Sequence, residues 1–140
     1  MNIIIAGDFA PQGRVATLIS NEKYEKVFGE VKPLIVDADY SIVNLEAPIT
    51  ESTLCQPIVK AGPTLHTSTH ASEAIKWAGF KGVTLANNHL RDYGDNGVSD
   101  TLFYLTHNGL TTFGGGLDLQ EASQTRYIEV GGVIFAVVNC

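Results

Sequence analysis

Short apolar runs alternate with amphipathic stretches along the chain, the pattern of an α/β fold. The first run, residues 2–6, is continuously apolar and stops at Gly7-Asp8. Continuous apolarity predicts a strand buried on both faces. Tyr24, Val27, Phe28, Val31 and Ile35 recur at helical spacing and predict a helix over 22–36. A second strand is predicted over 40–45, ending at Glu46. Ala47-Pro48 then opens a long irregular stretch with prolines at 48, 57 and 63, which reads as a surface excursion. Thr69 precedes an amphipathic helix running to Ala78, with Glu73 in the first turn, where the helix dipole favours an anion. Gly79 stops that helix.

The third strand, 83–86, is followed at once by Asn87-Asn88-His89. A helix over 95–107 places Val98, Leu102 and Leu105 on one face and ends at Asn108-Gly109. A short strand over 110–113 leads into Gly114-Gly115-Gly116. Residues 124–130 and 133–139 read as two strands joined at Gly131-Gly132, a hairpin signal. The last residues, VIFAVVNC, form an apolar strand pattern with no cap or polar tail. Domains rarely stop in such a pattern, so residues 1–140 read as the N-terminal portion of one longer domain.

Three of these strand ends carry the residues with chemistry. Asp8, Glu46 and the Asn87-Asn88-His89 run each lie directly after a predicted strand. If those strands are parallel, right-handed crossovers bring all three ends to one sheet edge, where open α/β sheets bind ligands. Each has a plainer reading. Asp8 is also a turn former. Glu46, flanked by Leu45 and Ala47-Pro48, reads as partly buried and needs a cation or an arginine partner, with Arg14 and Arg91 as candidates. Two asparagines at a strand end usually serve a turn, but the histidine beside them favours a site. Asp92 is placed to orient His89 as a hydrogen-bond acceptor.

Other polar residues are better explained without chemistry. Asp95 reads as the N-cap of the following helix. His66 and His70 do not share a helical face and read as exposed, and His107 reads as compensating a helix dipole. The three glycines match neither a P-loop nor a dinucleotide fingerprint, which leaves a nucleotide-binding module weakly supported. No serine or cysteine sits in a nucleophile elbow.

Composition narrows the partners. Nine Lys and Arg stand against fifteen Asp and Glu, a net charge of −6 with no basic cluster, so the footprint of a nucleic-acid binder is missing. An acidic chain gathers cations more naturally than polyanions. Two cysteines make no disulfide framework. The apolar N-terminal run is too short for a signal peptide or a membrane span. Location in the cell stays open between the cytoplasm and a trimmed envelope anchor.

The strings GDFAPQGR, ADYSIVNLEAPIT, AGFKGVTLANNHLRDYGDNGVSDTL and FGGGLDLQEA occur in order across the chain. With them the sequence resembles the bacterial capsule-synthesis protein family, the CapA type of poly-γ-glutamate synthesis. NLEAPIT and LANNH-x-x-DYG are the specific strings. That family is similar in fold to calcineurin-like metallophosphoesterases, a sandwich of mixed sheets flanked by helices with a two-metal centre. The resemblance implies Asp8, Glu46 and Asn88 as metal ligands, two divalent ions (Mn, Zn or Fe) in the full-length protein, and His89 as general acid or oxyanion stabiliser. Glu46 stands where the superfamily usually has aspartate, and Asn87 stands where its motif has glycine. Arg14 and Lys60 resemble basic positions that contact an anionic substrate. The superfamily's remaining histidine ligands lie in a C-terminal half that these residues do not include. Many family members also carry an N-terminal membrane anchor.

The function implied is capsule biosynthesis by a metal-dependent hydrolase acting on a phosphoester or a poly-γ-glutamate amide. The alternative is a non-catalytic assembly or export component that keeps the fold. Residues 1–140 alone are expected to hold metal weakly and to self-associate through uncovered apolar surface.

Overall fold

The computed structural model describes residues 1–51 and 55–140. Four parallel strands form the main sheet in the order β1-β2-β3-β4: β1 (Ile3–Phe9), β2 (Tyr40–Leu45), β3 (Gly82–Thr84) and β4 (Thr111–Phe113). The crossovers carry helices α1 (Gly13–Ser20), α2 (Glu25–Phe28), α3 (Lys32–Asp37), α4 (His70–Ala78) and α5 (Gly94–His107). After α6 (Leu119–Ala122), strands β5 (Arg126–Val130) and β6 (Val133–Val137) form an antiparallel hairpin. The expected α/β class is the one observed, and the arrangement matches part of a metallophosphoesterase-like fold.

Alternation along β2 divides the core. Val43 and Leu45 face the helices and join Ile19, Ala74, Ile75, Val83, Leu85 and Leu105 in the larger cluster. Ile42 faces the other way and packs with Phe113, Ile128, Val130 and Phe135, so the hairpin covers part of the second face of the sheet. Helix α4 buries Ala71, Ala74, Ile75 and Ala78, the i, i+3, i+4, i+7 stripe of an amphipathic helix. Gly79 ends it at φ 101°, and a Cβ there would lie 2.7 Å from Val36. Among the described residues, no helix is long and apolar enough to cross a membrane.

Several local expectations are corrected. β1 is an edge strand and not buried on both faces: Ile5 is 77% exposed, because the hairpin reaches only as far as Ile3. The helix expected over 22–36 is two short helices separated around Gly29. Helices α1 and α6 form in stretches for which the sequence pattern predicts no element. The stretch after Glu46 starts inside the protein, since Ala47, Pro48 and Ile49 are fully buried and Ile49 bridges to Thr67. Its residues 52–54 lie outside the described residues. Thr69 does not cap α4 with its side chain; its amide and hydroxyl are held by Glu51. Asp95 is not an N-cap either. It sits in the first turn of α5, which Tyr93 precedes, and pairs with Arg91.

Candidate functional site

Parallel pairing of β1, β2 and β3 puts their carboxyl ends on one edge. Asp8 lies near the end of β1, Glu46 follows β2, and Asn87, Asn88 and His89 follow β3. A bulge refines the first of these. Ile5 pairs with Ile42 but Asp8 pairs with Asn44, so β1 carries one extra residue over that interval. The inserted residue changes the strand's phase and turns Asp8 to the face that carries Asn44. Asn44 Nδ2 donates to Asp8 Oδ1 at 2.7 Å. Asn44 Oδ1 in turn accepts from Thr84 Oγ1 at 3.2 Å and from Asn87 Nδ2 at 3.4 Å.

Asn87 builds the loop that carries His89. Its Nδ2 donates to the Leu45 carbonyl at 2.9 Å, tying the loop to the end of β2. Its Oδ1 accepts the backbone amides of His89 and Leu90, both at 3.0 Å. This is the local turn chemistry for which asparagine is suited. The preceding residues are held from the far end of the chain: Asn139 Oδ1 accepts the amides of Leu85 at 3.1 Å and Ala86 at 2.8 Å. Gly114 makes room for it, since a Cβ there would lie 2.4 Å from Asn139 Oδ1.

His89 is buried, with its ring fixed on one side by Asp92. Its Nδ1 is 2.7 Å from Asp92 Oδ2, and its Nε2 is 3.9 Å from Glu46 Oε1. Asp92 is 1% exposed, and every side-chain oxygen has a donor: Lys60 Nζ on Oδ1, and the Leu65 amide (2.7 Å) with His89 on Oδ2. Burial alone would push the Asp92 carboxyl up. The hydrogen bonds from Lys60, His89 and Leu65, with the Lys60 charge, outweigh that and hold it below the usual carboxylate value. An ionised Asp92 only accepts, so His89 Nδ1 carries the hydrogen between them and Nε2 is left for the rim.

Residues 2–140 match the family model described as "Bacterial capsule synthesis protein PGA_cap". The chain belongs to the bacterial capsule synthesis protein family. It is 29% identical over 141 residues to the capsule biosynthesis protein CapA of Bacillus anthracis, covering 99% of this chain and 34% of that protein. It is 29% identical over 131 residues to the PGA biosynthesis protein CapA of Bacillus subtilis (strain 168), covering 91% of this chain and 34% of that protein. The chain thus spans about a third of the length of these curated relatives.

In this capsule-synthesis chain the expected site residues divide into groups. Glu46, His89 and Asp92 stand together, with Lys60 joined to them through Asp92. Asp8 is linked to the His89 loop through Asn44 and Asn87. Asn88 is exposed on the same loop. Arg14 is exposed in the first turn of α1 and has no ion-pair partner among the described residues. Neither arginine partners Glu46: Arg91 pairs with Asp95, and the basic group nearest Glu46 is His89. His66 is exposed and meets the Tyr93 hydroxyl at 3.0 Å, while His107 is exposed in the last turn of α5. The three glycines are occupied by the protein's own packing against Asn139, Leu85 and Ala122.

Asn44, Thr84 and Asn139 were not picked out from sequence. Each is a single polar residue in or beside an apolar strand, a weak signal that an inward-facing polar side chain has a hydrogen-bonding role. For a divalent cation, the donors that fit are the second Asp8 oxygen, Glu46 and the exposed Asn88 amide, all hard oxygen donors. Among the described residues, no three His, Cys, Asp or Glu side chains stand close enough to hold a metal ion.

Proposed function

We propose that this chain carries part of the site of a metal-dependent hydrolase of capsule biosynthesis, acting on an anionic phosphoester or poly-γ-glutamate amide. The observation that carries the reading is His89: a buried imidazole, held at Nδ1 by an ionised aspartate, with Nε2 directed toward Glu46 on the carboxyl edge. That is the arrangement of a group that moves a proton at one fixed atom. A structural histidine has no need of one nitrogen left open beside a carboxylate. The name of the Bacillus subtilis relative supports poly-γ-glutamate as the pathway.

In this reading Asp8, Glu46 and Asn88 hold divalent metal, with further ligands from outside the described residues. A bound pair of ions supplies an activated water and charge neutralisation at the displaced oxygen. Asn44 orients Asp8 by its hydrogen bond. Asn87 sets the loop geometry, and Asp92 sets the His89 ring so that Nε2 delivers or removes a proton at the leaving atom. Exposed Arg14 adds positive potential for an anionic substrate approaching a chain of charge −6.

The test is metal analysis of the natural full-length protein, followed by assays with p-nitrophenyl phosphate and with poly-γ-glutamate, each with Mn²⁺ or Zn²⁺. Metal-stimulated turnover of either substrate is expected. Bound polyglutamate without turnover under any metal points instead to a non-catalytic assembly component.

A further inference from the structure

We infer that Lys60 is a positioning residue: by gripping Asp92 it fixes the orientation and tautomer of the His89 ring, and it does not contact the anionic substrate. The inference rests on the reading of His89 as the proton-moving group and assigns Lys60 a place in it that the sequence did not suggest.

Three observations converge on Asp92. The Lys60 ammonium bonds to Asp92 Oδ1 and lies 3.3 Å from His89 Nδ1. The Ile58 amide donates to the Asp92 carbonyl at 2.9 Å, and the Leu65 amide donates to Asp92 Oδ2 at 2.7 Å. Lys60 therefore sits between two residues whose backbones are both pinned to Asp92, which sets where its side chain reaches. Residues 58–65 form a strap, and Asp92 is its anchor. The ammonium is spent on that anchor, since its side chain is 21% exposed against 1% for Asp92.

The consequence is geometric. With Oδ1 held by Lys60, the carboxylate plane cannot turn, and Oδ2 stays 2.7 Å from His89 Nδ1. That contact keeps the hydrogen on Nδ1 and leaves Nε2 bare toward Glu46. Without the ammonium, Asp92 loses a charged partner and the ring loses its fixed reference. A cation meant for substrate would be expected at an exposed position with its donors free, which describes Arg14 and not Lys60.

The test uses the natural full-length protein, labelled with ¹⁵N. Wild type is expected to show the Nδ1–H tautomer for His89 with a slowly exchanging, downfield ring proton. In Lys60→Met that signature is lost or averaged, and Lys60→Arg restores it. Turnover of p-nitrophenyl phosphate with Mn²⁺ should show Lys60→Met lowering kcat by about 10–100-fold, the usual cost of losing an outer-shell partner, with KM near wild type. A raised KM with an unchanged ring signature overturns the inference, as does a wild-type ring protonated at Nε2. Should Lys60→Met not fold, the wild-type Lys60 ammonium resonance decides. It should exchange slowly and stay unmoved when inorganic phosphate is added, whereas a phosphate-dependent shift overturns the inference. If the protein turns over neither substrate, the hydrolase reading fails while the ring signature still decides the role of Lys60.

Discussion

Asn44 and Asp8 are register partners across β1 and β2, and the Asn44 amide donates to Asp8 Oδ1 at 2.7 Å. One carboxylate oxygen of Asp8 is thereby held by Asn44. Asn44→Ala should therefore weaken Mn²⁺ binding by the full-length protein about 10–100-fold while leaving the fold intact. Calorimetric titration checks this; unchanged affinity would detach Asp8 from the metal.

Asp92 gives a pH signature. Its folded carboxyl is held below the usual value, so it contributes stability above the unfolded carboxylate pKa of about 3.9. That contribution is lost as pH falls through the lower folded value. Asp92→Asn should destabilise the protein at pH 7, toward the lower end of the roughly 3–5 kcal/mol typical of a broken buried pair, because Lys60 can turn partly to water. Urea unfolding at pH 7, 5 and 3 should show the gap between wild type and variant holding to about pH 4 and narrowing below it. A gap that widens in acid contradicts the assigned direction.

What the sequence revealed were features with local causes. Gly79 and the Ala71-Ala74-Ile75-Ala78 stripe mark α4, Gly131-Gly132 marks the hairpin with positive φ at both positions, and three strand ends deliver Asp8, Glu46 and His89 to one edge. Helix α6 also had a local signal that went unread: Asp118 accepts the Glu121 amide while Glu121 accepts the Leu117 amide. The rest was not local. Asn139 acts on Leu85 and Ala86 more than fifty residues away, and Lys60 meets Asp92 across thirty-two. The exposure of Ile5 depends on how far the hairpin reaches, which no run of apolar letters encodes.

Among the described residues, Asn139 is the only hydrogen-bond acceptor for the Ala86 amide, whereas the Leu85 amide also donates to the Phe113 carbonyl. Asn139→Ala therefore leaves one half-buried donor unpaired, at a cost of about 1–3 kcal/mol. Hydrogen exchange should speed up at Ala86 and through the His89 loop before it does so in α4. Uniform acceleration across the chain would show a general packing role instead.

Ile5 and Val138 are exposed at the groove between β1 and the hairpin, and β1 has an open edge. Residues 1–140 expressed alone should associate with rising concentration, as exposed apolar strand edges do. Light scattering should show Ile5→Lys reducing that association. A wild-type 1–140 chain that stays monomeric at high concentration contradicts the proposal.

The central claim is that His89 moves a proton in a metal-dependent reaction at this edge, and turnover by the full-length His89→Ala protein tests it most directly. With p-nitrophenyl phosphate or poly-γ-glutamate and Mn²⁺, the variant should fold as wild type does and lose about 10²–10⁴-fold in rate, the usual worth of a positioned acid or base. A folded His89→Ala protein that works at the wild-type rate contradicts the account.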